Sequence, residues 1–243
     1  MTKDYFAGSV AEHYDADCAQ DFAPQILTPM VDVLLALAKG DRCLEFAIGT
    51  GRVALSLAAR GIAVDGIEYS ADMITQLRQK PGGAGLHVLI GDMASTRTGK
   101  TYDLVFLVFN TIMNLTTQSA QVACFKNAAH HLKSGGKFVV EVMLPDLRKY
   151  PPGAKAVPSD VSKNHLGFDT YEMAEQKLVS HHFYISNTGV SRHESLPFRY
   201  VWPSELDLMA ELAGMKFVSR HADWLSTPYT DDSYKHVSVW EKS

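Results

Sequence analysis

Between residues 45 and 51 the chain reads Glu45-Phe46-Ala47-Ile48-Gly49-Thr50-Gly51, a carboxylate followed by small residues at alternate positions. Glycine lets a backbone approach a ligand closely and take positive φ, which side chains obstruct. A helical pattern begins near Arg52, so the free N–H groups of its first turn point back at this segment. Gly49-Thr50-Gly51-Arg52-Val53-Ala54 also fits the G-x-G-x-x-A dinucleotide fingerprint, which keeps an NAD-linked oxidoreductase in contention.

Three carboxylates narrow the ligand. Glu45 lies near the end of a strand, where a pyrophosphate would meet an unwelcome negative charge. A cationic sulfonium ligand carrying an amino group tolerates that charge. Glu68 closes the next strand in Gly66-Ile67-Glu68-Tyr69-Ser70, where a carboxylate can accept from both hydroxyls of a ribose. Asp92, in Gly91-Asp92-Met93 after the third strand, offers an acceptor for an exocyclic adenine amine.

With these residues in place the chain resembles the class I S-adenosylmethionine-dependent methyltransferases, small-molecule branch. The first motif of that family corresponds to Glu45-x-Ala47-x-Gly49-x-Gly51, and its second acidic residue to Glu68. Its adenine-contacting Asp falls on Asp92, with Met93 against the base. Its fourth-strand segment matches Tyr102-Asp103-Leu104-Val105-Phe106, and the approach to its fifth strand matches His131-Leu132-Lys133-Ser134-Gly135-Gly136. The resemblance spans roughly residues 40–145 and departs at Ala47, where glycine is usual. It implies S-adenosylmethionine as cofactor, with Tyr69, Met73 and Phe109 completing the set around the turn. Arg52 is placed to reach the ligand's carboxylate. Tyr5 and Tyr14 fall in an N-terminal segment that folds over the cofactor as a lid in similar enzymes, and either can hydrogen-bond the methionine carboxylate.

The elements that must position these residues follow from periodicity. Near-continuous apolar runs at 42–48, 63–69, 86–90, 102–110 and 136–144 read as strands buried on both faces of a parallel sheet. Helical patterns at 23–38, 51–60, 71–79 and 117–133 alternate with them, so the expected fold is a doubly wound α/β sheet. After residue 144 the prolines of 145–158 read as loop. β-period runs at 176–185 and 190–200, joined by Ser186-Asn187-Thr188-Gly189, then suggest a hairpin. A helix from Pro203 with Leu208, Met209 and Leu212 as its stripe follows, and strands at 216–222 and 236–241 end the chain. The whole reading is one domain: a helical lid (1–40), a cofactor core (41–144), a substrate-selecting insertion (145–202), and a C-terminal helix with a strand pair (203–243). The sheet is expected to be seven-stranded and mostly parallel, with an antiparallel C-terminal strand and a small antiparallel β insertion.

Ligands of open α/β sheets bind beyond the carboxyl ends of the strands, so Asn110, Thr111 and Asn114 should face the acceptor. Asn110 is the candidate for orienting it. In the insertion, alternation puts His182 with Tyr184 on one face and His181 with Phe183 on the other. His182 is the candidate general base for an O–H or N–H acceptor, since imidazole suits proton removal at neutral pH. His193, Arg192, Arg199 and Tyr200 lie nearby. His130 and His131 end a helix, where the dipole favours them in a structural role. The histidines lack metal-ligand spacing, and no metal is expected.

The 243 residues include 46% hydrophobic and 21% charged residues, a globular composition. A net charge of −4 without any Lys/Arg run disfavours a nucleic-acid partner. Three dispersed cysteines read as reduced thiols, and neither a signal peptide nor an apolar run long enough for a membrane is present, so a cytoplasmic location is expected. The expected activity is methyl transfer to O or N of a natural-product, sugar or amino-acid-like small molecule, by a monomer or homodimer. A non-catalytic S-adenosylmethionine-binding partner protein is the further alternative.

Overall fold

A computed structural model describes residues 3–39, 42–145, 151–189 and 191–243. Helix α1 (Ser9–Asp17) and α2 (Pro24–Ala38) precede β1 (Arg42–Phe46). Then come α3 (Arg52–Ala59), β2 (Ala63–Glu68), α4 (Ala71–Gln79), β3 (His87–Ile90) and β4 (Tyr102–Leu107). Helix α5 (Gln118–His131) runs directly into β5 (Leu132–Met143). Four strands follow, β6 (Ala156–Val161), β7 (His165–Glu172), β8 (Lys177–Ile185) and β9 (Ser191–Arg199). The chain ends with α6 (Pro203–Leu212), β10 (Met215–His221) and β11 (Lys235–Lys242).

Seven strands form one sheet in the order β10-β11-β5-β4-β1-β2-β3. β1 through β5 run parallel, and β11 enters antiparallel between β5 and β10. Both faces are covered. Leu44, Phe46, Phe138 and Trp240 pack with Phe125 of α5 and Leu206 of α6 on one side, while Cys43, Val139 and Val239 pack with Leu34 of α2 and Leu57 of α3 on the other. This double covering explains why the strands read as continuous apolar runs rather than alternating ones. The reversal of strand order between β1 and β4 opens the crevice where ligands of such folds bind.

The insertion is a separate four-stranded antiparallel sheet, β6-β7-β8-β9. Two of its strands were not foreseen. Pro158 and the exposed Ser159 and Asp160 make β6 read as loop, yet an edge strand tolerates proline because one row of its N–H groups needs no partner. In β7 Gly167 and the polar Asp169 and Thr170 dilute the β pattern. Val190, the expected first residue of β9, lies outside the described residues. The expected stripe of α6 is also corrected. Leu208 and Leu212 are exposed, and Leu206, Met209 and Ala210 are the buried set. No helix among the described residues is long and apolar enough to cross a membrane.

Candidate active site

The turn after β1 carries left-handed backbone at alternate residues, with φ of 51° at Ala47, 57° at Gly49 and 83° at Gly51. A Cβ on Gly51 would lie 2.2 Å from Leu77 Cδ1, so this position is closed to larger residues by space as well as by φ. Gly49 donates its N–H to Glu68 Oε2 at 2.8 Å, and Ser70 donates to Oε1 at 2.9 Å. The two donors fix the Glu68 carboxylate beside the turn and leave further acceptor capacity on each oxygen. Burial pushes its pKa up, partly offset by those backbone donors. Met73 closes the other side, its Cε 3.6 Å from the point a Cβ on Gly49 would occupy.

Two other buried carboxylates of the main sheet are satisfied within the protein. Asp65, toward the opposite end of the strands, accepts from Tyr102 Oη at 2.8 Å and Lys100 Nζ at 2.9 Å. Glu141 on β5 accepts from Trp224 Nε1 at 2.9 Å, Lys235 Nζ at 3.1 Å and the Phe109 N–H at 3.2 Å. Glu45 differs. Its side chain is buried, and Oε2 has no hydrogen-bond partner among the described residues. Burial pushes its pKa up to about 8 against the opposing pull of the Arg52 charge. An acceptor left empty at this depth costs free energy unless a donor arrives, and an ammonium group is such a donor. Asp92 Oδ1 accepts from the Ala94 N–H at 2.7 Å, which holds the next loop, and Asn127 fixes the Met93 carbonyl at 2.7 Å.

The N-terminal segment lies over this turn. Thr50 Oγ1 donates to Asp15 Oδ1 at 2.6 Å, and Lys80 pairs with Asp15 while donating to the Thr50 carbonyl. Gly8 donates to Asp72 Oδ2 and Ser70 Oγ to the Phe6 carbonyl, so residues 6–15 are tied to both ligand-facing turns. Arg52 donates to the Asp21 carbonyl at 3.0 Å and stacks 4.8 Å above the Phe109 ring. Burial raises the Tyr14 hydroxyl pKa, and the charges of Arg52 and Glu68 act on it, which places this ring at the turn. Tyr5 sits outside that cluster, under the Lys3 ammonium.

The insertion sheet turns one face to the body. In register, Tyr171, Leu178 and Phe198 sit together, then Asp169, Ser180 and Leu196, then Gly167, His182 and Glu194, then His165, Tyr184 and Arg192. The first rung packs into the core beside Ala47 and Met113, at the mouth of the main sheet. The last rung reaches α1, where Arg192 pairs with Asp17 and donates to the Ser9 carbonyl. The two ends of this face therefore span the distance from the strand mouths to the lid. Its other face holds Phe168, His181, Phe183 and His193 in one stack.

A family model for the methyltransferase domain matches residues 43–136. The solved CcbJ methyltransferase of Streptomyces caelestis shares 33% identity, with 88% of each chain covered and a TM-score of 0.81. The chain belongs to the class I S-adenosylmethionine-dependent methyltransferases. Among curated relatives, the cypemycin N-terminal methyltransferase of a Streptomyces species is 23% identical over 92% of this chain and 94% of its own. The dTDP-3-amino-3,6-dideoxy-alpha-D-glucopyranose N,N-dimethyltransferase of Streptomyces fradiae is 30% identical over 56% of this chain and 54% of its own.

Of the residues singled out in this methyltransferase from sequence, Glu45, Ala47, Gly49, Gly51, Arg52, Glu68, Met73, Tyr14 and Phe109 gather around one turn. Asp92 and Met93 lie after β3, and Tyr69 follows Glu68 with its ring exposed. Asn110, also left-handed at φ 63°, accepts from the Met143 N–H at 2.6 Å, tying the end of β4 to that of β5. His182 has hydrogen bonds on both ring nitrogens, to His165 and Ser180. His131 is a buried structural residue: Nε2 accepts from the Thr98 N–H, so the ring is neutral and not a charged cap. Sequence reasoning overlooked Glu141, although one acid inside Val139-Val140-Glu141-Val142 was a signal, because a charge in a doubly covered strand must find partners. Asp15, Asp17 and Glu194 carried no such signal.

Proposed function

We propose that this methyltransferase moves the methyl group of S-adenosylmethionine to the amine of a small molecule held between α1 and the inner face of the insertion sheet. The observation that carries the reading is the acidity of that space. Asp17, Asp169 and Glu194 face it, and Glu194 Oε1, though 3.3 Å from the Arg192 guanidinium, is buried without a hydrogen-bonded donor. Carboxylates so placed suit a cationic or hydrogen-donating acceptor, and burial raises the Asp169 and Glu194 pKa values toward proton uptake. The names of the two curated relatives, an N-terminal methyltransferase and an N,N-dimethyltransferase of a 3-amino sugar nucleotide, agree with an amine.

The residues around the turn fit the cofactor. In this reading Glu68 accepts from the ribose hydroxyls, Glu45 Oε2 from the amino group, and Asp92 from the adenine amine. Arg52 and Tyr14 face the carboxylate, and Ala47, Gly49, Gly51, Tyr69, Met73, Met93 and Phe109 form the walls. The sulfonium supplies an already activated methyl group, so the protein's task is to align the acceptor and exclude water. Asn110 shapes the acceptor's entrance by pinning Met143, and His182 handles the proton.

The test is transfer of labelled methyl from S-adenosylmethionine to paired probes, amino sugars against their hydroxyl counterparts and free peptide termini against acetylated ones. Label is expected in the amine members alone. Equal labelling of the alcohols, or cofactor binding with no transfer to any probe, would overturn the proposal.

A further inference from the structure

The inner face of the insertion holds an unbroken line of hydrogen bonds. His165 Nδ1 meets Asp160 Oδ2 at 2.6 Å, and His165 Nε2 meets His182 Nδ1 at 3.0 Å. His182 Nε2 meets Ser180 Oγ at 3.1 Å, and Ser180 bonds Asp169. The two imidazoles stack with centroids 5.1 Å apart and planes 7° from parallel, on neighbouring strands. The Asp160 side chain is 51% exposed and that of His165 20%, so one end reaches water, while Asp169 lies two residues from Tyr171, near the mouth of the main sheet.

Counting hydrogens shows what this line can do. With four of them, one placement has His165 doubly protonated, His182 protonated on Nε2, and Ser180 donating to an ionised Asp169. The other has Asp169 protonated and donating to Ser180, Ser180 donating to His182 Nε2, His182 Nδ1 donating to His165 Nε2, and His165 Nδ1 donating to Asp160. The two differ only by a shift of three of these hydrogens, each along its own bond, while the hydrogen between His165 and Asp160 stays on His165 Nδ1. Burial raises the Asp169 pKa and lowers that of His182, and both directions favour the placement with Asp169 protonated and the imidazoles neutral.

The geometry points to a proton conduit: Asp169 takes the proton that the acceptor amine must lose, and Ser180, His182 and His165 pass it to water at Asp160. This rests on the amine reading above. A bound ammonium gives its proton to the Asp169 carboxylate. The freed nitrogen lone pair forms the N–CH3 bond as the S–CH3 bond breaks, the bonding pair staying on sulfur. The conduit then shifts one hydrogen per link, and water takes the proton from the His165 end. His182 and Ser180 are positioning residues that act through Asp169.

Histidine-ring NMR on the full-length, cofactor-loaded protein, with nitrogen-15 in the imidazoles, tests the conduit without any acceptor. His165 and His182 are expected to titrate as one coupled unit. Asp169→Asn shifts both, and the same replacement in a Ser180→Ala background shifts His182 alone, through loss of the direct Asp169 charge, and leaves His165 unmoved. The other charged groups facing this pair are Asp17 and His13 on α1 and Arg192 and Glu194 on β9, with His181 acting from the opposite face of the sheet, so Asp17→Asn is the control. Independent titration of the two imidazoles, with no response to Asp169→Asn, would overturn the conduit even if amine methylation stands. On an amine that accepts label, Ser180→Ala is expected to lower kcat about tenfold at low pH, with recovery as pH rises and an unchanged KM for S-adenosylmethionine. An equal loss at every pH would mean a structural role only. If no amine accepts label, the function proposal fails while the NMR result still decides the conduit.

Discussion

Glu45 brings a carboxyl into a dry turn and leaves one oxygen without a donor, so its proton becomes a reporter of occupancy. With a pKa near 8, it is mostly protonated at pH 7. A ligand ammonium favours the ionised form, so S-adenosylmethionine binding at pH 7 is expected to release about one proton. Titration calorimetry in two buffers of different ionisation enthalpy measures this. Glu45→Gln should abolish the buffer dependence, and a dependence that persists would place the amino group elsewhere. Ala47 makes a second prediction. It holds φ 51° without the freedom of glycine, so Ala47→Gly should raise stability by about 1 kcal/mol, read from urea unfolding. The types and spacing of these residues were legible in the chain because each does its work within a few residues of a strand end. The emptiness of Glu45 Oε2 was not, since it depends on what the fold fails to place beside it.

At the scale of elements, one buried guanidinium ties the end of the insertion to the helices of the main domain. Arg199, at the end of β9, is buried and donates to Gln121 of α5, to Gln176 and to Glu205 of α6. Removing it strands buried acceptors, so Arg199→Met is expected to destabilise the fold by about 3–5 kcal/mol in urea unfolding. A cost below about 1 kcal/mol would mean the insertion is held by Leu178, Phe198 and Tyr200 alone. The hairpin β8–β9 was legible from its alternation and its Ser-Asn-Thr-Gly turn, whereas β6 and β7 were not. Their pairing is supplied by β8 rather than by their own composition, and a polar strand with a proline looks like loop until its neighbour is known. The same limit explains α6. Leucines at 208 and 212 suggested the buried stripe, but the direction of the sheet beneath it selected Leu206, Met209 and Ala210.

For the whole molecule, acid stability hinges on His236. Its ring is fully buried in β11, with Nδ1 on Ser238 Oγ at 2.8 Å and no hydrogen-bond partner at Nε2 among the described residues. Burial, reinforced by the Arg220 charge, lowers its pKa to about 3 from 6.5. The folded value lies below the unfolded one, so this contribution is complete above pH 6.5 and is lost as pH falls toward 3. The loss amounts to about 1.4 kcal/mol per pH unit within that window. Unfolding free energies of wild type and His236→Phe between pH 7 and 4.5 should diverge by that slope, and parallel curves would show that the ring protonates without unfolding. The doubly wound sheet was legible because burial on both faces leaves a compositional mark along its central strands, while the edge strands β3 and β10 are more exposed. The N-terminal segment's placement was expected only from resemblance, since its ties run through single polar residues.

Those ties have a kinetic consequence. Helix α1 is fastened to the cofactor turns through Asp15, Gly8 and Phe6, and to the insertion through Asp17 and Ser9. One segment therefore borders both the cofactor turns and the inner face of the insertion. Methylated product and spent cofactor are expected to leave in the same opening event, at one shared rate set by that segment's undocking rather than by the chemical step. Such an enzyme turns over in whole cycles. It cannot exchange its spent cofactor while keeping hold of a half-finished acceptor, so an amine that takes two methyl groups would be released and captured again between them.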